Sequence, residues 1–304
     1  MNRLIRKIII FFSVFFLIFA AMIGESIYQH QKSKNAIVVG CRNFTEQNIL
    51  AEIIAQLIEN HTSLEVKRCY NLEGTMVAFQ AINSKGIDVY PEYTGTGLLE
   101  ILKEEKITDK DLCYKTVKEQ FEKKYQITWL KPFGFDNNFC ILLSSQAASE
   151  MKISKLSELV ELFKTKDLSF ALDAEFISRP EYQMFLKDYQ VKKLDPKVID
   201  LPLIYLNLSK GTIDASLGYS TDPKIVEHSF VVLEDDLHTF PIYEAAPIIR
   251  QDVLKKHPEI KEVLDKVGNQ VNDVEIRELN MQADLGKGSP KNLVHKFLKD
   301  KKLI

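Results

Sequence analysis

The chain has 304 residues, 45% of them hydrophobic, which is enough apolar material for one large or two medium cored domains. Its 40 basic and 42 acidic residues leave a net charge of −2, without the basic excess that a nucleic-acid surface needs. Four cysteines, Cys41, Cys69, Cys113 and Cys140, form no Cys-x-x-Cys or His-Cys ligand pattern, so no metal site is expected. In an exported chain an even number of cysteines permits disulfides, and buried free thiols fit a chain of this size equally well.

The first residues differ from the rest. Arg3, Arg6 and Lys7 precede an apolar run from Ile8 to Ile23. That is the basic and then apolar order of an export signal. The run is long for a signal core and short for a spanning helix, so it reads as a signal peptide or as a membrane anchor. In both cases the basic end stays in the cytoplasm and the remainder lies on the extracytoplasmic side. Residues 1–34 are assigned to this segment and its linker.

Asn35 to Gly40 is a β-branched run and predicts the first strand. Asn43 or Thr45 is placed to cap the following helix, whose Ile49, Leu50, Ile53, Ile54, Leu57 and Ile58 share one face. Arg42 and Gln47 then sit in a turn at a helix N-terminus, where outward backbone N–H groups favour an anion. Leu64 to Tyr70 predicts a strand, Gly74 to Ser84 a helix, and Asp109 to Tyr125 another helix. Ile127 to Phe135 reads as extended, and Asp136 to Phe139 as the crossing into a second lobe. There, Ser157 to Phe163 predicts a helix and Leu168 to Leu172 a strand that exits through Glu175, Ser178 and Arg179. Phe230 to Leu233 is a strand, Leu237 to Tyr243 returns the chain, and Pro247 to Arg250 is a strand with proline at its first position. His257 to Val274, Glu275 to Leu285 and Pro290 to Leu298 are predicted helices.

One pattern occurs twice. Lys85 to Gly97, KGIDVYPEYTGTG, is echoed by Lys210 to Asp222, KGTIDASLGYSTD. Each contains Ile-Asp, four residues, then Tyr and a hydroxyl residue, so Tyr93 and Tyr219 occupy equivalent places. Each reads as a glycine-stopped helix, a short strand, and an aromatic hydroxyl leaving the strand's carboxyl end, where open α/β sheets bind ligands. Two such units predict two similar lobes that offer a tyrosine each to a shared cleft.

The stretches VVGCRNFTEQNIL, IDVYPEYTGTG, GFDNNFCILL, EFISRP, IDASLGYSTD, LEDDLHTFPIYEAAPIIR and ELNMQAD span Val38 to Asp284. In this order and spacing the chain resembles the substrate-binding proteins of ABC transporters for quaternary amine osmoprotectants. The resemblance implies an α/β, two-lobed type II periplasmic binding protein fold with the cleft between lobes. The lobes are assigned as 35–136 with 240–304, and 137–239. It implies a glycine betaine, choline or carnitine ligand, a membrane permease as partner, a monomer, and no catalysis or cofactor. Tyr93, Phe139, Tyr219 and Tyr243 match the aromatic box that holds the trimethylammonium head by cation–π attraction. Asn137 matches a position that adds a carbonyl to the box. Arg42, Thr96 and Arg179 match the group that holds a ligand carboxylate, and Gln47 matches a polar contact in choline-binding members. Phe139 stands where many members carry Tyr, which keeps the ring and loses a hydroxyl.

Two other classes were weighed. The same fold binding another small cation or amino acid would need a free carboxylate, for which Glu92 and Glu175 are the candidates. An enzyme would need a nucleophile elbow, a phosphate loop or metal-ligand spacing, and the sequence contains none of them.

Overall fold

The computed structural model describes residues 36–191 and 194–304. The signal or anchor reading of residues 1–34 lies outside the described residues. The chain opens with β1 (Ile37–Arg42), α1 (Thr45–His61), β2 (Val66–Leu72), α2 (Thr75–Asn83) and β3 (Val89–Tyr93). After β3 come a short helix α3 (Thr94–Thr96), a π-helical turn (Gly97–Ile101), α4 (Lys110–Tyr125) and β4 (Ile127–Trp129). The second sheet's segment holds β5 (Phe139–Leu143), α5 (Ser145–Met151), α6 (Leu156–Phe163), β6 (Phe170–Leu172), α7 (Ala174–Ser178) and α8 (Pro180–Asp188). It continues through β7 (Lys197–Val198), α9 (Leu201–Ser209), β8 (Ala215–Tyr219), α10 (Lys224–Glu227) and β9 (Val231–Leu233). The chain then returns as β10 (Ala245–Arg250), α11 (Gln251–Lys256), α12 (Glu259–Asp265), α13 (Asp273–Asp284) and α14 (Pro290–Asp300).

The strands form two sheets, ordered β2-β1-β3-β10-β4 and β7-β6-β8-β5-β9. In the first, β1 pairs in parallel with β2 and β3, while the returning β10 runs antiparallel to β3 and β4. In the second, β8 is parallel to β6 and antiparallel to β5. The two repeated strands, β3 and β8, therefore hold the same central place in their sheets. The repeated aspartates also do the same work. Asp88 accepts the Val38 amide at 2.7 Å, and Asp214 accepts the Ser169 amide at 2.7 Å. Each carboxylate ties the repeated strand to its parallel neighbour.

The apolar face of α1 is fully buried, as its spacing predicts, and packs against β1, α13 and α14. Its cap differs from expectation: the residue before the helix is Phe44, and no side chain caps it. Asn43 is engaged with Glu73 at 2.9 Å, and the Thr45 hydroxyl with Asp284 at 2.6 Å. The predicted helix from His257 to Val274 is cut after Asp265. There the backbone amides of Asn269 and Val271 turn to the carbonyls of Pro132 and Phe133, at 2.9 and 3.0 Å. Pro247 is the third residue of β10, within a central strand, rather than its first. It sits opposite Pro91, at a position of the antiparallel ladder where neither residue is asked for an N–H to the other. The four cysteines are free thiols. Burial pushes the Cys41 thiol up to about 12 and the Cys113 thiol up to about 11, so neither is a ready thiolate. Among the described residues, no helix is long and apolar enough to cross a membrane.

Candidate functional site

The ends of β3, β5 and β8 meet the segment returning from the second sheet. Phe139 begins β5 and lies directly opposite Tyr219, the last residue of β8. Its ring centre is 5.3 Å from that of Tyr219 and 5.1 Å from that of Tyr243, the latter edge-on. Phe176 and Phe240 close the far side of Phe139 at 4.9 and 6.0 Å. The structure thus brings three of the four predicted aromatics into mutual contact through Phe139.

Tyr243 is held against backbone. A Cβ on Gly95 would come within 2.6 Å of the Tyr243 ring, so only glycine permits this approach. The Thr94 amide donates to the Glu244 carbonyl at 3.0 Å, locking the strand after Tyr93 to the residue after Tyr243. Tyr93 is buried, and its ring carries the Arg42 guanidinium 5.3 Å from its centre. Its hydroxyl donates to Glu46 at 2.6 Å. Burial first, and then Glu46, holds that hydroxyl far above the usual tyrosine range, so it remains a donor.

The predicted polar group divides in two. Arg179 lies between α7 and α8 and is buried, with its guanidinium 5.1 Å from the centre of the Phe139 ring. It donates to Glu181 at 2.7 and 3.2 Å, and to the Thr96 hydroxyl at 3.5 Å. Burial is the largest single influence and opposes its charge, but Glu181, Tyr243 and Glu100 together outweigh it and keep the guanidinium's pKa raised. Arg42 donates to Thr75 at 3.1 Å and pairs with Glu92 at 3.5 Å. Thr75 and Glu175 connect the two: the Thr75 hydroxyl is 3.5 Å from Glu175, which is 3.6 Å from Arg179. A continuous polar chain, Arg42–Thr75–Glu175–Arg179–Thr96, therefore crosses from the first sheet's elements to the second's and back.

Gln47 is wholly buried, and both ends of its amide meet backbone: it accepts from the Arg42 amide at 3.2 Å and donates to the Pro91 carbonyl at 2.9 Å. It fixes the end of β1 beside β3. Asn137 donates from its backbone to the Tyr243 carbonyl at 3.0 Å and from its side chain to Glu46 at 2.8 Å.

Sequence reasoning missed two carboxylates. Glu46 is buried and accepts from Tyr93, from Asn137, and from Asn280 at 3.0 Å. Its neighbours in Phe-Thr-Glu-Gln were read, yet Glu46 itself looked like an ordinary first-turn acid. Glu181 is completely buried and also receives the Tyr243 hydroxyl. Directly after Arg179-Pro180, nothing in the local sequence distinguishes it from a surface acid at a helix start. Glu92, weighed above as a free carboxylate, is fully engaged by Arg42, by the Tyr90 hydroxyl at 2.9 Å and by the Tyr93 amide at 2.9 Å.

A profile of the OpuAC family, described as the substrate binding domain of ABC-type glycine betaine transport systems, matches residues 35–300. The chain belongs to this family. It is similar to the carnitine transport binding protein OpuCC of Listeria monocytogenes, 32% identical over 88% of this chain and 87% of that one. It is also similar to the ergothioneine transport permease/ergothioneine binding protein EgtU of Helicobacter pylori, 30% identical over 96% of this chain and 52% of that protein. Among solved structures, a protein described as a glycine betaine/carnitine/choline ABC transporter superposes with a TM-score of 0.75 at 26% identity, covering 88% of this chain and 99% of that one. The family's two-lobed binding-protein architecture is the one that the two sheets build.

Proposed function

We propose that this OpuAC-family chain captures a quaternary ammonium osmoprotectant, of the glycine betaine, choline or carnitine class, between its lobes and delivers it to an ABC permease in the membrane. The observation that carries this reading is the meeting of Phe139, Tyr219 and Tyr243 with a cation already lying on a ring face, the Arg179 guanidinium 5.1 Å from Phe139. A trimethylammonium head cannot donate hydrogen bonds and is weakly hydrated, so such ring faces suit it, each contributing roughly 0.5–2 kcal/mol. In this reading the lobes are residues 35–136 with 240–304, and 137–239. The protein is an extracytoplasmic monomer that catalyses no reaction. The permease assignment is supported by the Helicobacter pylori relative, whose name joins a permease and a binding protein. Arg42, Thr96 and Arg179 receive the ligand carboxylate, and Tyr93 completes the box.

The test is titration calorimetry of the full chain in detergent against glycine betaine, choline, carnitine, ergothioneine and a proteinogenic amino acid. Binding of a trimethylammonium compound, with none of the amino acid, is expected. Binding of the amino acid alone overturns the reading and favours a primary-amine site.

A further inference from the structure

The cage is bordered by a buried acceptor that no donor among the described residues satisfies. Glu181 is completely buried, and Arg179 and Tyr243 both converge on the same oxygen, Oε1. Its other oxygen, Oε2, is buried with no hydrogen-bond partner among the described residues. Asn137, which lies in the crossing into the second sheet and whose amide holds Tyr243, has a second such acceptor in Oδ1. A buried carboxylate oxygen without a donor costs about 1–3 kcal/mol or more, so such atoms are rare unless something else supplies the donor. A trimethylammonium group cannot, since it carries no N–H, and neither can the carboxylate of a betaine.

Resting on the quaternary-amine reading, we propose that Oε2 of Glu181 is a specificity-determining acceptor, and that the preferred ligand carries an O–H or N–H donor in addition to its quaternary ammonium. The charge of Glu181 is already balanced by Arg179 at 2.7 Å, so the donor need not be cationic. Tyr243 and Arg179, both in contact with Phe139, place this carboxylate one side chain away from the ring face. Glycine betaine, which has no donor, leaves Oε2 unsatisfied and binds more weakly than a hydroxylated or azole-bearing analogue.

Matched ligand pairs test this on the full chain by calorimetry: L-carnitine against γ-butyrobetaine, which lacks only the hydroxyl, and Nα-trimethylhistidine against Nα-trimethylphenylalanine, which lacks the ring N–H. Glycine betaine serves as the donor-free reference, and choline as a quaternary amine that carries a hydroxyl and no carboxylate. The expected result is a preference of about tenfold to a hundredfold for the donor-bearing member of at least one pair, the range of a hydrogen bond to a charged group. Which pair shows it distinguishes hydroxyl from azole. In Glu181→Gln the same ratio falls below about threefold, while a thermal melt monitors folding. Equal binding within both pairs, or an unchanged ratio in Glu181→Gln, overturns the assignment and leaves the quaternary-amine reading standing. If the variant does not fold, the wild-type pairs decide alone. Failure of every quaternary amine to bind, glycine betaine and choline included, overturns that reading and this one together.

Discussion

Phe139 and Tyr219 face one another across the β5–β8 pair, yet their surroundings assign them different burdens. Phe139 is packed on several sides, touching Phe176, Phe240, Tyr219 and Tyr243. Tyr219 is half-buried at the end of its strand. Tyr219→Ala is therefore expected to weaken binding of a quaternary amine about threefold to thirtyfold, the equivalent of roughly 0.5–2 kcal/mol for one ring, with little change in melting temperature. Phe139→Ala is expected to cost about 3–5 kcal/mol of stability, because truncating a buried ring leaves a cavity. Calorimetry and thermal melts on both variants separate the cases. A large melting loss with unchanged affinity in Tyr219→Ala would mark Tyr219 as core. Tyr93 and Tyr219 were legible in the sequence because they recur at the same place in a repeat, whereas Phe139 and Tyr243 entered only through the family resemblance. Glu181 and Glu46 were not legible, because a carboxylate in a first helical turn is ordinary on a surface. Only the tertiary fold delivers Tyr243, Tyr93 and Asn280 to them.

At the scale of elements, the repeat was read from Ile-Asp and Tyr, and the structure gives the aspartate its reason. Asp214 accepts both the amide and the hydroxyl of Ser169, each at 2.7 Å, where β6 begins beside β8. Asp88 accepts the Val38 amide and also pairs with Arg250 at 2.9 Å. Asp214→Ala leaves a half-buried donor without its carboxylate, at an expected cost of about 1–3 kcal/mol at most, and Asp88→Ala costs more because Arg250 also loses one of its two carboxylates and keeps only Asp252. Denaturant titration measures both. Equal, negligible losses would show that backbone pairing alone holds these strands together. Element types were read well wherever periodicity was strong, as in α1 and α4. Boundaries slipped where backbone partners decide them. β3 and β8 begin at Val89 and Ala215, two residues after the repeated Ile87 and Ile213 at which the sequence pattern starts these strands, because Asp88 and Asp214 lie beside the neighbouring strand rather than in the ladder. The helix predicted through Val274 fails because residues 269 and 271 bond to a distant segment that periodicity cannot see.

Across the whole molecule, the two halves are joined by contacts from late helices to the chain just after β8. On α13, Arg277 donates to the Ser220 carbonyl at 2.9 Å, and Asn280 to the Thr221 carbonyl at 3.3 Å. The next residue, Asp222, is a partly buried acid at this junction whose protonation is linked to folding. Burial first, and then the like charge of Asp284 at the end of α13, pushes its carboxyl up to about 6 from an ordinary 3.8, against the pull of the Lys224 amide, the Tyr205 hydroxyl and the Lys224 charge. An acid whose folded pKa lies above its unfolded one binds more protons when folded, so stability falls as pH rises from about 4 to 6 and then levels. The span corresponds to about 3 kcal/mol at most. The melting temperature is therefore expected to rise, for this group's part, as pH is lowered from 7 to about 5, with Asp222→Asn abolishing that component. Asp252, held down near 2 by Lys85 and Arg250 despite some burial, acts with the opposite sign. Its contribution is present above about 3.8 and is lost only as pH falls toward 2, outside the Asp222 window. A pH–stability profile of wild type and Asp222→Asn tests this. If the two profiles run parallel from pH 7 to 5, burial does not raise the Asp222 carboxyl enough to link its protonation to stability.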